Sequence, residues 1–190
     1  MLKISKQILA CWVVVFSFTL SVIASDDSAV IKDYKERIAK YVELHKKVKD
    51  SLDPVEESAS PAVLAKQKQQ FAKALGESRQ GMTQGNIFTP GVQPIFVRII
   101  KQHLAHPNGA KARSTVLGEG NPGNKRSAAP VVKVNAPYPT TAPSSTVPPS
   151  LLVVLPQLPE QLEYRFVGRH LILRDREADT IVDFIRNAVP

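Results

Sequence analysis

The chain has 190 residues, 43% hydrophobic and 22% charged, a balance that excludes a wholly disordered protein. Its formal charge is +8, and its single cysteine is Cys11. Because Cys11 lies in the N-terminal apolar run, the rest of the chain has no disulfide, no thiolate nucleophile and no cysteine-based zinc or iron–sulfur site.

Lys3 and Lys6 make the start of the chain positive, and Ile8 to Ala24 is almost wholly apolar. Val22-Ile23-Ala24 offers side chains that a signal peptidase tolerates, with Asp26 and Asp27 just beyond. This order predicts a signal peptide over residues 1–24, cleaved near Ala24, and export to the periplasm or beyond the cell. The alternative is an uncleaved inner-membrane anchor through residues 8–24, since the run reaches the lower limit of a membrane span. Lipidation of Cys11 is not expected, because the apolar run follows that residue instead of preceding it.

Without Lys3 and Lys6 the charge is +6, and it is unevenly spread. Residues 26–80 carry a net +1 and residues 134–190 a net −1. Residues 81–133 hold Arg98, Lys101, Lys111, Arg113, Lys125, Arg126 and Lys133 against Glu119 alone. Lys111, Arg113, Lys125 and Arg126 are therefore the candidate partner-binding residues. They could face anionic lipid headgroups, an acidic envelope polymer or an acidic envelope protein. Nucleic acid is not an expected partner, because the charges are not interleaved with aromatics and the leader directs the chain out of the cytoplasm.

A first helix is predicted from about Ser28 to Ser51. Ile31, Tyr34, Ile38, Tyr41, His45, Val48 and Leu52 recur on one stripe, and Asp53-Pro54 ends it. Ser60-Pro61 caps a second helix with a thinner stripe of Leu64, Phe71 and Leu75, closed at Gly76 or Gly81. Thr89-Pro90 starts a third by the same logic, with Val92, Ile95, Phe96, Ile99, His103 and Leu104 on its apolar side and Pro107-Asn108-Gly109 as its stop. A short fourth covers Ala110 to Leu117. Residues 25–117 thus form a helical region.

Residues 118–150 change character. Nine of the fifteen prolines lie between Pro122 and Pro159, mixed with Gly, Ser, Thr and Ala, which predicts a linker or surface strap. Residues 151–190 turn to period two. Gly168-Arg169 fits a type II′ hairpin that sets Phe166 opposite Leu171, Tyr164 opposite Leu173 and Glu163 opposite Arg174. A second turn through Arg176 to Asp179 sets Leu173 opposite Val182 and Leu171 opposite Phe184. All the large apolar side chains then share one face, with the ion pair on the other. The expected fold is α+β, an N-terminal set of about three helices and a C-terminal antiparallel β-meander packed on them. The apolar run Leu151 to Leu155 is a further candidate cover for the sheet.

Asn86-Ile87-Phe88-Thr89-Pro90, Val134 to Pro139, Ser145 to Pro149 and the meander from Leu162 to Phe184 resemble a family of uncharacterised exported bacterial proteins. That resemblance implies export, one shared architecture and a fixed strap over residues 130–150. The meander is also similar to the C-terminal hairpins of small periplasmic proteins of nickel and cobalt homeostasis.

No nucleophile elbow or phosphate-binding loop is present, so no catalytic set and no cofactor are expected. His103 and His106, three apart at the end of the third helix, are candidate ligands of a metal ion, but such a site needs a third ligand. His45 on the apolar stripe reads as a packed, hydrogen-bonded imidazole. Asp175, Glu177, Asp179 and Asp183 read as turn and salt-bridge residues, with Asp183 on the polar face beside Arg174 or Arg165. The expected role is a non-enzymatic exported protein that binds another envelope component. The alternative is a periplasmic metal-binding protein.

Overall fold

A computed structural model describes residues 20–54, 60–119, 132–139 and 144–189. Most of the leader, with Lys125 and Arg126, lies outside them. The fold is α+β. Helices α1 (Leu20–Asp50), α2 (Pro61–Ser78), α3 (Gln93–Ala105) and α4 (Ala110–Glu119) come first, with a 3-10 turn at Pro107–Gly109. Strand β1 (Ser144–Thr146), helix α5 (Pro149–Leu152) and strands β2 (Leu162–Val167), β3 (His170–Asp175) and β4 (Thr180–Ile185) follow. The antiparallel sheet has the order β1-β2-β3-β4, so the expected three-stranded meander gains a short edge strand from the proline-rich segment.

The stripe of α1 holds as predicted. Tyr34, Ile38, Tyr41, His45 and Val48 are buried, and Ile31 and Leu52 are half-buried. The helix is already formed at Leu20, the first described residue, ahead of the start expected near Ser28, and no proline or glycine interrupts it before Pro54. In α2, Ser60 Oγ accepts from Val63 N–H and Phe71 and Leu75 are buried, but Leu64 is 48% exposed and is not part of the core. The helix ends at Ser78, between the two glycines expected to close it. Helix α3 begins three residues later than Thr89-Pro90 predicts. The Thr89 carbonyl accepts from both Val92 and Gln93, which folds a separate turn first.

Gly168 has φ +57 and Arg169 does not enter the left-handed region, as a type II′ turn requires. The β2–β3 register is the predicted one throughout. The β3–β4 register is the predicted one only for Asp175↔Thr180 and Arg174↔Ile181. A bulge between Leu173 and Arg174 then shifts it by one residue, so Leu171 faces Ile185 instead of Phe184 and Leu173 faces Asp183 instead of Val182.

The bulge redistributes the core. Leu162, Tyr164, Phe166, Leu171, Leu173, Val182 and Ile185 pack on the helices, with Tyr34, Phe88 and Phe96 among the largest partners. The other face is not left to the ion pair. Val167, Ile172, Ile181 and Phe184 are buried there beneath Val134 and Tyr138 of the proline-rich segment. Residues 132–139 lie along β4, where Asn135 N–H donates to the Ile181 carbonyl and Tyr138 N–H to the Asp179 carbonyl, both at 2.8 Å. Since β1 then pairs with β2 at the opposite edge, the described pieces of this segment form a strap from one edge of the sheet to the other.

Candidate functional site

Helix α4 buries Ala112 and Val116 and exposes Lys111 and Arg113. Two positions apart on a helix, these basic side chains leave it on opposite flanks. Lys125 and Arg126 lie outside the described residues, so the structure places only half of the predicted patch, and it does not gather that half on one flank of α4. Arg98 and Lys101 extend the basic surface along the exposed side of α3. Arg98 pairs with Asp27, three residues past the predicted cleavage point, and this docks the leader-side end of α1 against α3.

Among the described residues the metal candidates gain no third ligand. His103 is half-buried and its Nε2 lies 3.0 Å from Ser150 Oγ, while His106 is exposed at the end of α3. Among the described residues no group of three or more His, Cys, Asp or Glu side chains could hold a metal ion. The His103–Ser150 contact instead fastens α3 to the turn of α5. In that turn the apolar run divides. Leu151 and Leu155, four apart, are buried, whereas Leu152, Val153 and Val154 are 40%, 78% and 48% exposed. The run expected to cover the sheet thus presents three consecutive aliphatic side chains to solvent. Beside them is an open groove of about 400 Å³ whose lining includes Val147, Leu152, Val153, Leu158 and Tyr164. Among the described residues no helix is long and apolar enough to cross a membrane.

A second constellation, which the sequence did not reveal as connected, lies between helices and sheet. Tyr41 donates to Asp175 Oδ2 at 2.7 Å, and Asp175 Oδ1 accepts from the N–H groups of Glu177 and Ala178. His45 is 2% exposed and meets Phe71 edge-on. Its Nε2 lies 3.3 Å from Asp175 Oδ2 but outside hydrogen-bond geometry, so the imidazole is packed as expected without the expected bond. Arg79 lies 5.0 Å over the Tyr41 ring and donates to Asn135 Oδ1 and to the carbonyl of the bulged Val182. Burial pulls its guanidinium below the ordinary value, against the attraction of Tyr41, Asp183 and Asp175.

Asp183 is not on a polar face. It is fully buried and accepts from the N–H groups of Gly85, Ile87 and Phe88, because the bulge turns it toward the loop before α3. Tyr34 donates to Tyr164, whose own hydroxyl donates to the Pro156 carbonyl. Burial, reinforced by Asp175 at Tyr41, raises all three phenols well above the ordinary tyrosine value. Asp179 does form the expected salt bridges, with Arg174 and Lys68. These outweigh its burial and hold its carboxyl below the ordinary range. Chemically, the network joins α1, α2, the strap and the sheet.

No protein-family model, curated protein or solved structure matches this chain. Its own surface and buried groups therefore carry the functional reading.

Proposed function

We propose that this is an exported, non-enzymatic protein that binds an anionic component of the cell envelope. The observation that carries the reading is the exposure of Lys111 and Arg113 on α4, within the segment that holds the excess of positive charge. The leader-like start of the sequence supports export. The engagement of Tyr41, Arg79, Asp175 and Asp183 in links between elements supports a scaffold role over acid–base chemistry.

The test is charge reversal of Lys111, Arg113, Lys125 and Arg126 together, followed by envelope fractionation across a salt series. The natural chain should leave the envelope fraction as salt rises, and the reversed variant should be released already at low salt. Association that ignores both salt and charge reversal would remove the basic surface as the contact.

A further inference from the structure

Resting on the export part of that reading, we propose that folding of α1 closes the processing site at Ala24. The leader is removed only from a chain that has not yet folded, and a chain that folds first keeps it.

The site is read from the sequence as Val22-Ile23-Ala24, with Ser25 as the residue after the cut. A peptidase that selects the residues at the third and first places before the cut must reach positions 22 and 24 together. Two such positions share one face of an extended strand, but on an α-helix they stand about 200° apart. Here the whole motif is helical, since α1 runs unbroken from Leu20 to Asp50. The helix also occupies the bond to be cut. The Ala24 carbonyl is committed to the N–H of Ser28, four residues on.

This stretch of helix is held by the rest of the fold. Arg98 of α3 pairs with Asp27, within one turn of Ala24. Val30 and Ile31 pack on the helical core, with Val30 beside Gly91. Tyr34 is buried, stacked on Phe88 and edge-on to Phe96, and its hydroxyl meets that of Tyr164 in β2. Arg37 donates to the Asn86 carbonyl at 2.9 Å. An isolated helix is marginal in water, so before these later residues are in place the motif is free to extend. Once they are in place, extending residues 22–25 means unwinding α1 up to the Asp27–Arg98 pair. Cutting then tracks the small population of that opened form. The order of two events thus sets which form of the protein results, one released by processing or one that still carries residues 1–24.

The experiment synthesises the full chain in a cell-free system with signal peptidase in lipid nanodiscs, either present throughout or added once the chain is complete and folded. Mass spectrometry follows the product that begins at Ser25. The expected result is cutting during synthesis, and cutting at least about tenfold slower when the enzyme is added afterwards. Ser28→Pro removes the N–H that holds the Ala24 carbonyl, and position 28 is exposed, so the core beneath is untouched. Added late, the enzyme should cut this variant nearly as fast as it cuts the natural chain during synthesis, while thermal unfolding shows the rest of the fold in place. Arg98→Glu, which breaks only the tether, should speed late cutting by about twofold to fivefold. Equal cutting of the natural chain early and late overturns the closure and leaves the leader standing. A folded Ser28→Pro chain as resistant as the natural one overturns it too. If the chain is not cut near Ala24 even during synthesis, the cleavable leader itself falls and the closure with it.

Discussion

Asp183 follows the bulged Val182 and uses both carboxylate oxygens on backbone N–H groups of residues 85–88. Hydrogen bonds to a charged group contribute about 1.5–3 kcal/mol each, and buried donors left without a partner cost more than the bond they lose. Asp183→Ala should therefore destabilise the protein by about 3–4 kcal/mol in urea unfolding. Asp183→Asn should cost less, because its amide oxygen still accepts. A loss under about 1 kcal/mol for the alanine variant would mean that water replaces the carboxylate. None of this was legible in the residues of β4. In strict alternation Asp183 falls on the same face as Arg174, and a single bulged residue transfers it to the other side. Leu64 failed for a related reason, since a stripe of three residues fixes a helix face only loosely. The seven-residue stripe of α1 left no such freedom.

At the scale of elements, the junction between α3 and α4 depends on Gly109. A Cβ placed there would lie 2.1 Å from the His103 carbonyl oxygen, and that neighbour is backbone, which cannot rotate away. Gly109→Ala should cost about 2–3 kcal/mol and lower the midpoint of thermal unfolding, since the last turn of α3 must shift to admit it. A variant as stable as the natural chain would show that the junction is loose. The stop signal itself was readable as Pro107-Asn108-Gly109, and so was the two-residue turn at Gly168, where only one loop length fits. The four-residue turn between β3 and β4 also closed in the expected register, with Asp175 opposite Thr180, and the pairing slipped only past the bulge between Leu173 and Arg174, which no turn residue announces. The fourth strand was hidden because Ser144 to Thr146 sits among prolines and has no alternating pattern of its own.

For the molecule as a whole, three tyrosine hydroxyls connect α1 to the sheet and its approaches. Their folded-state values are raised, so the stability they confer is fully present below the unfolded tyrosine value of about 10 and is lost as pH rises from there toward the folded values. In an alkaline titration the phenolate absorbance of Tyr34, Tyr41 and Tyr164 should appear together with the loss of helical circular dichroism. Ionisation of all three in a chain that keeps its helices would contradict their burial. Helix–sheet packing was foreseeable from the amphipathic pattern, but this hydroxyl network was not, because its members lie more than a hundred residues apart. The exposed run Leu152 to Val154 was misread for the opposite reason. Composition marks it as core, and only the helical turn that buries Leu151 and Leu155 turns the three residues between them outward.

Strand β4 has a consequence for the order in which the molecule is completed. Its Val182 and Ile185 close the helical core, its Ile181 and Phe184 close the core under the strap, and its backbone holds residues 132–139 in place. Every one of those partners precedes it in the chain. A polypeptide synthesised from its N-terminus must therefore emerge through β4 before either core can close. Until then α1 lacks the finished sheet that covers its buried stripe, so both cores wait on the last strand.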